Sequence, residues 1–225
     1  MRPWLANTTP LENRPGEPPQ PPAPAPTNPS RGQKQFPQYL WIDGVGGYRL
    51  VANDEVIIGQ ATPTDSAHLM ILGDLSRRAL AIRRSGTDYL IQPWQDIRLS
   101  GMAIDRPTML SDASEISIGS RIVLNFRRPN PWSCSAILQM ASHHRWQPFV
   151  DGAILFADSC VLGPQAGSHI VCPFWKQELI LFRNGQKLFC RSHQPILVNQ
   201  EFRKGEFELV SGDRVRDMDL SFGLE

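Results

Sequence analysis

The sequence contains an internal repeat with a period close to 100 residues. A shift of 99 residues places ALAIRRSGTDYLI (79–91) on ELILFRNGQKLFC (178–190), so that Arg84 falls on Arg183. Shifts near 104 and 96 residues relate VIIGQ to CVLGP and VLNF to DLSF. One period with small insertions in the loops is the pattern that two copies of a single domain produce. We therefore expect the two halves of the chain to share one fold.

The repeat decides the structure of an ambiguous segment, ILGDLSRRALAIRRSG. Apolar residues from Leu69 to Ile82 fall near helical spacing, with Ser66 as a candidate helix cap. The corresponding segment of the second copy is SHIVCPFWKQELILFRNG, and Pro173 in its middle would break a helix. Because both copies must share a fold, we predict a strand, a turn and a strand, with residues 76–78 in or next to the exposed turn.

Short alternating runs elsewhere predict β-strands. Ile122, Leu124 and Phe126 point to one side of such a strand while their neighbours point to the other. Between runs of this kind lie SGTD, LSDAS, RNGQ and VSGDR, which are typical turn sequences. Half-buried strands separated by turns are typical of antiparallel sandwiches. The predicted fold class is all-β.

The N-terminal segment differs sharply in composition from the rest of the chain. Eleven of the 20 prolines fall in residues 1–37, which cannot bury enough apolar surface to offset the entropy of ordering. We predict a disordered arm, partly polyproline II, that acts as a spacer or as a docking peptide. Two tandem sandwiches follow, at 38–140 and, more divergent, at 147–225, joined by a linker at 141–146.

Composition argues against several classes of function. The 23 basic and 22 acidic residues nearly cancel, so no overall charge favours nucleic acid or an anionic membrane. No apolar run approaches 18 residues, and the N-terminus lacks the apolar core of a signal peptide. The four cysteines are too few for a disulfide framework, so we expect reduced thiols in a cytoplasmic protein. Common nucleophile and phosphate-loop motifs are missing, which predicts a non-enzyme without a cofactor.

Several of these motifs, in order, resemble the forkhead-associated (FHA) family. The similarity covers most of residues 45–140 through VIIGQ, LSRRALAI and DIRLSGMAIDRPTMLSDASEISIGSRIVLNF. It is weaker at 147–225, where CVLGP, ILVNQE, LVSGDRV and LSF carry it. The resemblance implies two tandem two-sheet sandwiches. In its active members the family binds phosphothreonine peptides through loops at one end of the sandwich.

The same resemblance implies a binding site in the first copy, with important departures. Ser76 matches the serine of the family's Ser-Arg-x-His turn, but Gln60 stands where the phosphate-binding arginine is expected. A lost charge-assisted hydrogen bond of roughly 1.5–3 kcal/mol weakens phosphate binding by about tenfold to a hundredfold. Because a guanidinium reaches an oxyanion from several directions, Arg77, Arg78 and Arg98 are further candidate donors.

The second copy departs further from the family pattern. Pro164 replaces the arginine, and Trp175 lies near the position of the turn serine. The histidine that orients the loop is replaced in both copies, by Ala79 and by Glu178. These substitutions indicate that the second copy does not bind phosphate.

Three hypotheses about function follow from the sequence. The first is a non-catalytic interaction module or scaffold whose altered loops contact protein partners with little or no dependence on phosphate. The second is a phosphothreonine-peptide reader acting in signalling through the first copy. A version of the second has phosphorylated Thr8 or Thr9 of the N-terminal arm folding back onto that copy.

The third hypothesis is a zinc-stabilised domain. His169 and Cys172 precede Cys190 and His193, and paired thiolate and imidazole ligands at such a spacing suit tetrahedral zinc. Two points oppose it. Residues three apart on one strand face opposite sides, and no glycine supplies the knuckle turn that would bring each pair together. Small buried thiols are also ordinary core residues at strand positions.

Overall fold

The computed structural model describes residues 36–62 and 67–225. These residues form β-strands joined by turns, as the period-two patterns predicted, and the all-β fold class is confirmed. The described part of the chain contains no helix, and therefore none that is long and apolar enough to span a bilayer. Thr8 and Thr9 lie outside the described residues.

Twenty-one strands make up the described chain. Most are short, and turns of a few residues connect them. In order they are β1 Tyr39–Ile42, β2 Gly46–Val51, β3 Glu55–Gln60, β4 Leu69–Leu72, β5 Leu80–Ser85, β6 Asp88–Pro93, β7 Ile97–Leu99, β8 Met102–Ile104, β9 Thr108–Leu110, β10 Ser114–Ile118, β11 Ile122–Arg127, β12 Ala136–Met140, β13 Arg145–Gln147, β14 Gly152–Leu155, β15 Ser159–Gly163, β16 Ile170–Val171, β17 Leu179–Asn184, β18 Lys187–Val198, β19 Glu201–Leu209, β20 Arg214–Arg216 and β21 Ser221–Leu224.

The strands form two sheets. The smaller sheet has six strands in the order β13-β4-β3-β5-β6-β9. The larger sheet has fifteen, in the order β16-β15-β17-β18-β20-β21-β1-β2-β14-β12-β11-β10-β7-β8, with β19 also paired to β18. Most neighbours are antiparallel, as predicted, but the pairs β2–β14, β3–β4 and β15–β16 are parallel. The sheets are therefore mixed.

Two separate cores hold the sheets together. The first core fills the space between the smaller sheet and one end of the larger one, with Ile58 and Ile82 facing Leu124 and Phe126. The second core lies where the larger sheet bends over on itself. The bend runs through β18, whose pairing with β19 shifts register between Ser192 and Ile196. Its earlier part pairs with β17 and its last residues pair with β20.

The strand pairings around the two cores repeat along the chain. Residues paired in the β5–β6 hairpin recur 99 positions later in β17–β18, so that Leu80↔Pro93 corresponds to Leu179↔Ser192. The β6–β9 and β7–β8 registers recur in β18–β19 at the same offset. The β10–β11 pair corresponds to the β20–β21 pair. Paired residues of β11 recur in β21 after 98 residues, not after the 96 that VLNF and DLSF suggested.

The ambiguous segment forms a strand, a turn and a strand, as the repeat predicted. β4 ends at Leu72, and β5 begins at Leu80. Of the predicted N-terminal arm, residues 1–37, only Phe36 and Pro37 lie within the described residues. Phe36 packs edge-on against the ring of Phe156 at 5.5 Å between centroids, and Pro37 is buried. Both residues belong to the folded body because each covers apolar surface.

Candidate functional site

The loop between β4 and β5, residues 73–79, carries the residues predicted to bind an anion. Leu75 and Ala79 are buried and anchor the loop to the first core. Ser76, Arg77 and Arg78 between them are exposed. The loop is therefore held at two apolar points and presents a hydroxyl group and two guanidinium groups at the surface.

The end of β3 holds this loop in place from one side. The Gln60 backbone N–H donates to the Ser76 carbonyl at 3.0 Å, and its side-chain amide donates to the Gly73 carbonyl at 3.3 Å. Gly59 is required here, because a Cβ atom would overlap the backbone carbonyl of Arg77. Gln60 thus supports the loop and uses its side-chain donor inside it.

The loop between β6 and β7 holds it from the other side. Gln95 accepts a hydrogen bond from the Ser76 backbone N–H at 2.9 Å through its side-chain oxygen. The guanidinium of Arg78 lies 4.5 Å from the centre of the Trp94 ring, which is 42% exposed. Neither Gln95 nor Trp94 was predicted as a site residue. Both residues follow Pro93, at the end of a strand that the repeat predicts, and this position in a loop next to the site could have identified them as candidates.

Of the five predicted site residues, four lie together. Gln60 contacts the loop that contains Ser76, Arg77 and Arg78. Arg98 lies in the middle of β7, opposite Ala103 and Ser117 in the neighbouring strands, with an exposed side chain between two buried neighbours. It belongs to the outer face of the larger sheet and is not part of the loop cluster.

A groove of about 620 Å³ lies beside this loop cluster. Its walls are residues 93–96 of the β6–β7 loop and residues 103–105 at the end of β8. Trp94 and Ile104 supply apolar surface, and Asp96 and Asp105 are exposed carboxylates. The groove is therefore partly apolar and acidic, whereas the adjoining loop carries two arginines.

His68 immediately precedes β4, whose other end leads into the loop. Its Nδ1 accepts a hydrogen bond from the Ile57 backbone N–H at 3.0 Å. Partial burial lowers the pKa of His68, and the nearby Arg49 and Arg78 act in the same direction, while Glu55 opposes them. The neutral ring is favoured, so His68 supports the strand pair and does not add positive charge to the site.

The corresponding region of the second half is built differently. Trp175 is buried and stacks on Phe222 with 6.3 Å between ring centroids. The side chain of Glu178 fills the space next to Gly163, where a Cβ atom would meet it. At the 99-residue shift Trp175 takes the place of Ser76 and Glu178 takes the place of Ala79, so a buried indole replaces an exposed serine and a carboxylate replaces a buried methyl group.

The residues of the zinc hypothesis do not come together. His169 Nδ1 accepts the Val161 backbone N–H, and Cys190 and His193 point to opposite sides of β18. Burial raises the pKa of both Cys172 and Cys190 to about 12, so both thiols are neutral. Within residues 36–62 and 67–225, no three histidine, cysteine or acidic side chains form a group that could hold a metal ion. The structure does not support zinc binding by these four residues.

Comparison with known proteins gives little further information. No family model matches the sequence, and no curated protein matches it. Four chains of solved structures match, among them one described as "Rv0020c_FHA Structure". It aligns with 40% of this chain and 91% of its own length, at 23% sequence identity and a TM-score of 0.27. A superposition at that TM-score carries no conclusion about the fold or function of this chain.

Proposed function

We propose that this chain is a non-catalytic protein-interaction module that contacts partners through the β4–β5 and β6–β7 loops without requiring phosphate. The observation that carries the proposal is the direction of the hydrogen-bond donors in the loop cluster. The Ser76 backbone N–H points to Gln95, and the Gln60 amide points to the Gly73 carbonyl. These two N–H groups are used inside the loop and are not available to an oxyanion, which leaves the exposed side chains of Ser76, Arg77 and Arg78 as the remaining side-chain donors of the loop.

The groove beside the loop supports the same conclusion. A phosphate group placed along it would approach the carboxylates of Asp96 and Asp105, and like charges in close contact are unfavourable. A peptide without phosphate meets no such penalty there. Trp94 is 42% exposed and offers apolar surface to a partner, and tryptophan is among the residues that most often dominate binding energy in protein interfaces.

A peptide array with each peptide in phosphorylated and unphosphorylated form tests this proposal. We expect the full-length chain to bind certain peptides equally in both forms. Trp94→Ala should then weaken binding at least tenfold, and Trp132→Ala, which removes another exposed tryptophan far along the chain, should not. Binding confined to the phosphorylated peptides would refute phosphate independence.

A phosphothreonine reader is the second candidate function. Three consecutive exposed residues that carry a hydroxyl and two guanidinium groups favour it, because arginine suits phosphate recognition. The double variant Ser76→Ala and Arg77→Ala should then abolish binding to a phosphorylated peptide. Arg83→Ala with Ser85→Ala removes a similar exposed pair from β5 and serves as the matched control. Equal binding by both double variants would eliminate this candidate.

A further inference from the structure

The first two strands of the chain contribute to the second core. Leu40 and Ile42 of β1 and Leu50 of β2 are buried there, among residues from the C-terminal part of the chain. β1 also pairs with β21, the last strand, through Leu40↔Leu224. The first and last strands of the described chain therefore lie side by side in one sheet.

The first core is completed by later strands instead. Leu138 of β12 and Leu155 of β14 are buried among residues of β3 to β11. β12 pairs with β11, and β14 pairs with β12. Every strand from β3 to β14 thus comes from one continuous stretch of sequence and surrounds or borders the first core.

The chain enters and leaves this stretch at one place. β2 and β14 lie side by side and parallel, with Val51 opposite Leu155, and the Phe156 backbone N–H donates to the Val51 carbonyl at 2.8 Å. One guanidinium nitrogen of Arg183 donates to both the Ala52 carbonyl at 2.9 Å and the Phe156 carbonyl at 3.2 Å. The place where the chain enters this stretch is therefore adjacent to the place where it leaves, and the hydrogen bonds of Arg183 link the two.

We propose that residues 54–155 are a sandwich inserted into a second sandwich, which is formed by residues 36–53 together with residues 156–225. These boundaries differ from the predicted division at 38–140 and 147–225. The proposed insert contains the whole β4–β5 and β6–β7 loop cluster. It is joined to the second sandwich by two adjacent stretches of chain. This proposal concerns folding and does not depend on the proposed function.

The two sandwiches are in contact along β2, β12 and β14, and each has its own cluster of buried residues. Along β12 and β14 alternate side chains face opposite ways, so that Ile137 and Ile154 reach the second core while their neighbours fill the first. Val51 of β2 makes the reverse crossing and is buried in the first core. Because the other buried side chains of each core come mainly from its own strands, local unfolding of one sandwich is expected to leave most hydrogen bonds of the other intact.

Hydrogen exchange of the full-length chain, followed by mass spectrometry, tests the proposal with two matched variants. Leu40 and Leu138 are both fully buried, each in a strand near the middle of the larger sheet. Leu40→Ala should accelerate exchange at least about tenfold in residues 158–225 and leave 67–135 nearly unchanged. Leu138→Ala should produce the reverse pattern.

Other outcomes would overturn the proposal. If Leu40→Ala loosens residues 67–135 instead, β1 belongs with the first sandwich, as in the predicted division at residue 140. If either variant accelerates exchange equally everywhere, the chain is one cooperative unit with no separable insert. Where an alanine variant does not fold, Leu40→Val and Leu138→Val keep the same comparison with a smaller loss of packing.

Discussion

Mild acid should weaken the second core through His169. Its side chain is only 6% exposed, and Nδ1 accepts the Val161 backbone N–H at 3.0 Å, which only the neutral ring can do. Burial lowers the pKa of His169 from 6.5 to about 4, and the nearby Asp158 and a backbone group of Ser135 offset this only in part. Folding thus favours the neutral ring.

The sign and size of the effect follow from these two pKa values. The unfolded chain takes up a proton near pH 6.5, whereas the folded chain does so only near pH 4. The stabilisation from neutral His169 is therefore complete above pH 6.5 and is lost as the pH falls toward 4. The whole difference amounts to ~3 kcal/mol, and ~2 kcal/mol of it is lost by pH 5.0.

Urea unfolding at pH 7.5 and pH 5.0 measures this loss. His169→Asn keeps an acceptor oxygen near the Val161 N–H but does not titrate, so its free energy of unfolding should fall by ~2 kcal/mol less than that of the wild type. His143→Asn, which makes the same substitution at an exposed histidine, is the matched control. The reasoning is refuted if the wild type and His169→Asn lose equal stability between the two pH values.

Three further predictions concern local packing. Gly59→Ala should lower the free energy of unfolding by about 1–3 kcal/mol, because its Cβ would overlap the Arg77 carbonyl, whereas Gly167→Ala, with its nearest atom 3.9 Å away, should be neutral in urea unfolding. Gln95→Ala should speed hydrogen exchange of the turn amide that it caps about fivefold, and Gln95→Glu, which keeps an acceptor, should not; equal rates would contradict the capping role. A thiol reagent at pH 8 should modify at most the half-buried Cys134 in the native chain but all four thiols in urea. Rapid labelling of Cys160, Cys172 or Cys190 in the native chain would contradict their burial.

The sequence alone was sufficient to predict the strands and the main turn. Period-two alternation in runs such as Ile122 to Phe126 reports local amphipathicity, which is a property of a few neighbouring residues. Pro173 excluded a helix from the second copy, and the repeat transferred that constraint to the segment from Leu69 to Ile82. The exposed position of residues 76–78 followed from the same reasoning.

The candidate site was predictable only in part, for a physical reason. Ser76, Arg77 and Arg78 are adjacent in sequence, so one turn exposes them together. The hydrogen bond from the Ser76 backbone N–H to Gln95 joins residues 19 positions apart, and it depends on how the β4–β5 and β6–β7 loops pack against each other. Arg98 has the right chemistry, but its strand directs it to another surface.

Which core each strand completes was decided by the tertiary structure. The patterns of β1 and β12 are both those of half-buried strands. Their local sequences do not show whether the neighbouring strand in the sheet comes from 10 residues away or from near the opposite end of the chain. Leu40 lies beside Leu224 because the larger sheet continues through β21, β1, β2 and β14. A local pattern shows that one face of a strand must be buried, but only the pairing of distant strands selects the side chains that bury it.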